Sequence, residues 1–213
     1  MKTEILKLGA GSTGDSLSAA AAVLRRDGII VYPTDTFYGL GACCYSREAI
    51  RGIYRIKGRE FQKPLLVLVS SREMLDEITE KRPAVTEDLI DAFWPGPLTL
   101  VLPASPRLPR ELLGGSQAVG VRLPDHPEAR ELVRQAGFPV TATSANAAGG
   151  GNIRRADRAV EYFSGKVDLI LDGGDTRGGI SSTVLECTSP LPKILRAGAL
   201  PADLLEPYLK SPS

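Results

Sequence analysis

The sequence predicts a single α/β domain built on a mixed sheet with helices on its faces. Three observations carry this. Segments with helical apolar spacing alternate with short apolar runs, the alternation expected of an α/β fold. The 22 glycines and 16 prolines gather at the junctions between those segments. The 213 residues, 43% hydrophobic and 24% charged, suffice for one ordinary globular core.

Taken in order, residues 4–8 can form a short strand. Residues 15–27 are alanine-rich, end in Arg25 and Arg26 and are followed by Gly28, which reads as a helix with a glycine stop. A buried strand follows at 28–32. Ser46 can cap a helix that runs to Lys57 and is closed by Gly58, with Ile50, Ile53 and Tyr54 as its apolar stripe. A strand at 64–69, helices at 71–78 and 85–93, and strands at 98–102 and 118–121 come next. Asp125 is placed to cap a helix at 126–136, with Pro127 in the first turn. A strand at 139–143, a helix at 155–163, strands at 167–171, 183–186 and 193–195, and a short helix at 201–209 complete the series. The organisation is a lead-in of residues 1–14, a domain of residues 15–200, and a final helix and tail of residues 201–213.

Composition narrows the function classes. Lys and Arg number 26 against 25 Asp and Glu, a formal net charge of +1, so bulk charge implies no nucleic-acid binding and a positive cleft must come from placement. Cys43, Cys44 and Cys187 form no C-x-x-C pair, and a reduced compartment fits. The first eight residues carry Lys2, Glu4 and Lys7 and do not read as a signal peptide, and no apolar run approaches a bilayer span. A soluble cytoplasmic protein without membrane contact is expected. The single histidine, His126, excludes a multi-histidine metal site, and no protein-held metal is expected.

One motif competes with the rest. Gly9, Gly11 and Gly14 match G-x-G-x-x-G between a strand and a helix, and Asp35 lies 21 residues after Gly14, the spacing of a dinucleotide fingerprint. Asp35, however, sits inside the polar turn Pro33-Thr34-Asp35-Thr36, and the strand before the glycines is short and half charged. A glycine-serine lead into a helix is the simpler reading. No G-x-x-x-x-G-K-[ST] occurs, which excludes a P-loop NTPase.

Five constellations carry chemistry. Residues 32–41 run from a buried strand into a turn with two threonines and an aspartate, suited to a small polar ligand. Lys57 continues the apolar stripe of its helix, so it points along the buried face. With Arg59 and Lys63 it makes three cations within seven residues, fit for a polyphosphate. Ser144 and Asn146 fall on one side of an extended stretch and present a hydroxyl and an amide together. Arg122, at the exit of an apolar strand, is placed to clamp a carboxylate. Last come 172–175, Ser182-Thr183-Val184 and Arg196 beside Gly198, again hydroxyls and a cation at strand ends. Each has a structural reading as turn, cap or snorkelling side chain. Together they favour a cleft for phosphate and carboxylate.

These motifs, with Phe93-Trp94-Pro95-Gly96-Pro97-Leu98-Thr99-Leu100, resemble the YrdC/Sua5 family of threonylcarbamoyl-AMP synthases over residues 15–198. The resemblance implies the short form, the YrdC-like domain only, with a twisted, mixed open sheet and a deep positive cavity. It implies that threonine and bicarbonate give N-carboxythreonine, whose carboxylate attacks the α-phosphate of Mg²⁺-bound ATP, and that pyrophosphate leaves. The product would pass to threonylcarbamoyl-transfer partners that modify tRNA, and contact with tRNA or double-stranded RNA stays open. Carried over by position, Lys57, Arg59, Ser144 and Asn146 match the catalytic group. Thr36, Arg122 and Ala142 match threonine-binding positions. Arg59, Lys63, Ala118, Ser144, Asn152, Ser182, Thr183 and Arg196 match nucleotide-binding positions, Ala118 and Ala142 through backbone alone. Leu68 stands where many members have histidine, and 147–151 replaces the usual Leu-Ser-Gly-x-Pro. The competing reading, an RNA-binding module without chemistry, lacks an evident stacking platform in a chain with 6% aromatics.

Overall fold

The computed structural model describes residues 2–9, 11–58, 63–146 and 151–209. Along the chain these form β1 (Glu4–Lys7), α1 (Thr13–Leu24), β2 (Ile30–Tyr32), β3 (Gly39–Gly41), α2 (Arg47–Lys57), β4 (Val67–Leu68), α3 (Arg72–Ile78), α4 (Val85–Phe93), β5 (Leu98–Pro103) and α5 (Arg110–Leu113). Then follow β6 (Ala118–Arg122), α6 (Pro127–Ala136), β7 (Val140–Thr141), β8 (Thr143–Ser144), α7 (Ala156–Phe163), β9 (Leu169–Asp172), β10 (Thr183–Glu186), β11 (Lys193–Arg196) and a 3-10 helix, Asp203–Tyr208.

The α/β class holds, but the strands divide into two mixed sheets rather than one. The first runs β1-β9-β2-β3-β8 and the second β11-β10-β5-β6-β4-β7. The division falls at Ala142. Val140 and Thr141 pair with β4, whereas Thr143 and Ser144 pair with β3. Between them the Ala142 amide donates to the Leu66 carbonyl at 2.9 Å. One five-residue stretch therefore ties the sheets together and carries Ser144 to their junction.

Helix ends follow side-chain chemistry. The Ser46 hydroxyl accepts from the Ala49 amide at 3.2 Å, and Gly58 closes α2 at φ 58°, a left-handed stop that glycine adopts without Cβ strain. Helix α6 corrects the expected cap. His126, not Asp125, is the N-cap, and its Nδ1 accepts from the Ala129 amide at 3.2 Å. The glycine fingerprint is also resolved. Strand β9 lies between β1 and β2, so the βαβ pair that a dinucleotide would need is not formed. A Cβ at Gly9 or Gly14 would meet nothing within 4 Å, so neither glycine serves a close approach.

The apolar side chains bury as two clusters. One gathers α2, α3, α4 and the inner positions of β5 and β6. The other packs α1 and α6 against β2 and β9, with Leu68 fully inside it. Strand β5 is aimed by the turn before it, where the Trp94–Pro95 peptide is cis and the Trp94 indole donates to the Leu98 carbonyl at 2.7 Å.

Candidate active site

Period-two alternation in the second sheet separates core from site. Leu98, Leu100, Leu102, Val119, Val121 and Leu185 point into the core and are fully buried. The intervening Thr99, Val101, Ala118, Gly120, Arg122, Val184 and Glu186 line a cavity of about 620 Å³, joined there by Gly39 and Ser144 of the first sheet. The cavity face thus mixes threonine, glycine, arginine and glutamate with two valines, where the core face is apolar throughout.

Arg122 is buried within this wall, and its Nη1 donates to both carboxylate oxygens of Asp35 at 2.9 Å. Its Nε is buried with no hydrogen-bond partner among the described residues. Thr36 is held by the turn beside it. The Thr34 hydroxyl donates to the Phe37 carbonyl at 2.7 Å and accepts from the Thr36 and Phe37 amides, and its oxygen lies 3.2 Å from the Thr36 hydroxyl. Thr34 and Thr36 both line the cavity. Tyr38 lines it too, with its hydroxyl donating to the Gly174 carbonyl at 2.7 Å; burial above all pushes that phenol up to about 12.

On the strand next to Arg122, the Thr99 hydroxyl lies 2.9 Å from that of Ser182. Arg196 lies over them, and its Nη2 donates to the Ser182 carbonyl at 2.9 Å. Burial and, after it, the Arg122 cation hold Arg196 below the usual arginine range. A half-buried arginine whose charge is disfavoured by burial and by a neighbouring cation calls for an anion. At the sheet junction, Lys57 Nζ donates to the Ser144 carbonyl and to Asn146 Oδ1, both at 2.6 Å, and the Ser144 hydroxyl donates to the same Oδ1 at 3.2 Å. Among the described residues no group of three His, Cys, Asp or Glu is placed to hold a metal ion, and no helix is long and apolar enough to cross a membrane.

With this geometry in hand, the model of the Sua5/YciO/YrdC family, described as "Telomere recombination", matches residues 22–198. The chain belongs to the Sua5/YciO/YrdC family. It is 38% identical over 197 residues to the threonylcarbamoyl-AMP synthase of Bacillus subtilis, covering 92% of this chain and 57% of that protein. It is 41% identical over 187 residues to the threonylcarbamoyl-AMP synthase of Pyrococcus abyssi, covering 88% of this chain and 55% of that protein. The crystal structure of P. abyssi Sua5 complexed with L-threonine superposes with a TM-score of 0.90 at 36% identity, over 98% of this chain and 61% of that one. The chain therefore spans little more than half the length of these relatives.

In this Sua5/YciO/YrdC domain, Thr36, Arg122, Ala142, Ser144, Ala118, Asn152, Ser182 and Arg196 all line the one cavity. Lys57 and Asn146 join it through Ser144. Lys63 stands beside the lining residue Pro64, and its carbonyl accepts from the Tyr54 hydroxyl at 2.6 Å. Arg59 and residues 147–150 lie outside the described residues. Thr183 is placed differently from the expectation. It is buried on the core side, where its hydroxyl donates to the Leu200 carbonyl at 2.7 Å and accepts from the Leu200 amide at 3.1 Å. The reason is strand parity: Thr183 shares a face with Leu185, and Ser182 with Val184. Sequence reasoning missed Asp35 as the partner of Arg122, Thr34 as organiser of the turn, and Glu186. For Asp35 the signal was an acid in a buried turn, but its arginine lies 87 residues away.

Proposed function

We propose that this chain is an L-threonylcarbamoyladenylate synthase, a nucleotidyltransferase that joins ATP, L-threonine and bicarbonate and releases pyrophosphate. One observation carries the reading: a single cavity is lined by Arg122 and Thr36 at one part and by Ser182 and Arg196 at another, with Ser144 between the sheets. The names of the relatives, and the threonine in the P. abyssi Sua5 crystal, support it.

In this scheme Arg122 takes the threonine carboxylate with its guanidinium fork, and Thr36 takes a polar group of the same amino acid. The threonine nitrogen bonds to the bicarbonate carbon, water leaves, and a carbamate carboxylate results. A carbamate oxygen then bonds to the α-phosphorus as the bond to the pyrophosphate oxygen breaks. Two anions must meet, so the cations carry much of the work. Arg196, over the Ser182 and Thr99 hydroxyls, is placed for a phosphate, and Lys57 sets the Ser144 backbone beside it. Mg²⁺ carried by ATP would supply further neutralisation of phosphate charge; a lining with the Thr99 and Ser182 hydroxyls and, among the described residues, no cluster of carboxylates fits a metal brought by the nucleotide rather than held by the protein. Positioning of three small substrates supplies the rest of the rate. The product is a reactive mixed anhydride, so a threonylcarbamoyl-transfer partner acting on tRNA is its natural consumer.

The deciding assay is pyrophosphate release from ATP with and without threonine and bicarbonate. Release that requires both is expected, and release indifferent to threonine removes the reading.

A further inference from the structure

Glu186 is the one acid among the described residues that line the cavity. Its presence needs a cause. The triphosphate, the threonine carboxylate and bicarbonate are all anions, and a carboxylate beside any of them is repulsive in a partly desolvated site.

The strand register shows where this acid stands. Val184 pairs with Arg196 on one side and with Thr99 on the other, and the register that pairs Leu100 with Val121 sets Arg122 level with Thr99. Both arginines therefore belong to one row across four strands. Glu186 lies in the next row on the same face, level with Val101 and Gly120 on one side and, past a register shift, with Lys193 of β11 on the other, about 6.5 Å further along its strand. Beyond that row comes Ala118, opposite Pro103. The acid is thus displaced from the row of the two arginines towards a floor of Val101, Gly120 and Ala118, which is small and apolar and suits a flat ring. The Thr188 hydroxyl donates to Glu186 Oε1 at 3.1 Å, which orients the carboxylate while leaving acceptor capacity on its oxygens.

We propose that Glu186 selects the nucleotide base, accepting a hydrogen bond from the 6-amino group of adenine above this apolar floor. The inference rests on the synthase reading of the cavity as a nucleotide site. A purine with oxygen at position 6 would set that oxygen against the carboxylate and be rejected.

Calorimetric titration of the whole chain with ATP, inosine triphosphate and 2′-deoxyATP, for wild type, Glu186→Ala and Glu186→Gln, tests it. The wild type is expected to prefer ATP to inosine triphosphate by about tenfold or more. Glu186→Ala should erase that preference, and Glu186→Gln, whose amide oxygen still accepts, should keep part of it. The ratio of ATP to 2′-deoxyATP should be the same in all three. An unchanged preference in Glu186→Ala overturns the proposal, as does a change confined to the deoxy ratio, which would move the carboxylate to the ribose. These ratios are read without threonine, so they stand apart from the threonine-dependent pyrophosphate release on which the synthase reading depends.

Discussion

Asp35 holds Arg122 by a single nitrogen: Nη1 donates to both carboxylate oxygens at 2.9 Å, and Nε faces no partner among the described residues. The pair is almost wholly buried, so removing the acid alone leaves an unpaired cation inside the protein. Glu/Asp–Arg pairs broken in this way cost about 3–5 kcal/mol. Asp35→Ala should lose stability of that order in urea unfolding. Asp35→Asn, which keeps the shape, should retain most of it but raise the KM for threonine more than it lowers kcat, because the fork is no longer fixed. The double variant Asp35→Ala/Arg122→Met should recover stability without recovering threonine binding. A threonine KM unmoved in Asp35→Asn would separate the pair from the substrate.

Lys57 reaches Ser144 from a helix that closes one residue later, so its position depends on the Gly58 stop. Lys57→Ala should lower the rate of pyrophosphate release by about a hundredfold or more, the scale of losing one preorganised electrostatic group. It also strips a donor from the Ser144 carbonyl and from Asn146, so a stability loss of about 1–3 kcal/mol should accompany it. Lys57→Arg separates the two effects. A retained charge with a changed head group should restore stability better than rate, as measured by melting and by kcat side by side.

His126 gives the fold a pH dependence of known sign. Burial lowers its proton affinity, opposed by Glu128 and Asp35 and assisted by Arg177 and Arg130. Its Nδ1 accepts from the Ala129 amide in the neutral ring, in competition with Glu128 Oε2, which lies 3.2 Å from the same nitrogen and would pair with the protonated one. In the unfolded chain histidine titrates near pH 6.5. The folded value is lower, so the unfolded state binds the proton first. This contribution is fully present above about pH 6.5 and is lost as the pH falls through the folded value. His126→Asn supplies a cap that does not titrate. Its stability, followed by urea unfolding from pH 7 to pH 5, should fall less steeply than that of the wild type.

How much of this was legible from the sequence differs by kind of signal. Local signals transferred in part: Ser46 and Gly58 bound α2 where capping chemistry puts them, and α4 occupies Val85–Phe93 as its spacing requires, but α6 is capped by His126 rather than Asp125, and α1 ends at Leu24, short of the stop expected at Gly28. Contacts over long separations did not. Nothing near Asp35 points to Arg122, and nothing within residues 140–144 shows that their partners change sheet at Ala142. Strand β3 was hidden because Gly39-Leu40-Gly41 has no β-branched residue and pairs only through its neighbours. Thr183 was legible in principle, since alternation with Leu185 sends it to the core. Ser182→Ala and Thr183→Val should accordingly part company. The first should weaken nucleotide binding with little change in melting temperature. The second should cost about 1–3 kcal/mol through the orphaned Leu200 groups and leave the KM for ATP in place. Equal loss of ATP affinity in both would contradict the parity argument.

Gly198 shows how a residue outside the cavity governs it. A Cβ there would lie 2.3 Å from the Ser181 carbonyl oxygen and 2.4 Å from both the Ser182 carbonyl carbon and the Thr183 amide nitrogen. These are backbone atoms, so no rotamer change relieves the contact. The Ala199 amide meanwhile binds the Ser181 carbonyl at 2.8 Å, which pins the two segments together. Gly198→Ala must therefore push residues 181–183 away from 196–199. That displaces the Ser182 carbonyl from Arg196 and its hydroxyl from Thr99, the bonds that shape the end of the cavity to which the proposed function assigns the phosphates. Overpacking of this kind costs about 1–3 kcal/mol. The variant should melt lower and bind ATP at least tenfold more weakly, while threonine, which the proposed function assigns to Arg122 and Thr36, should bind with nearly unchanged affinity. Calorimetric titration with each substrate separately reads both numbers. If threonine and ATP affinity fell together, the two ends of the cavity would be one mechanical unit, not two walls that can be disturbed independently.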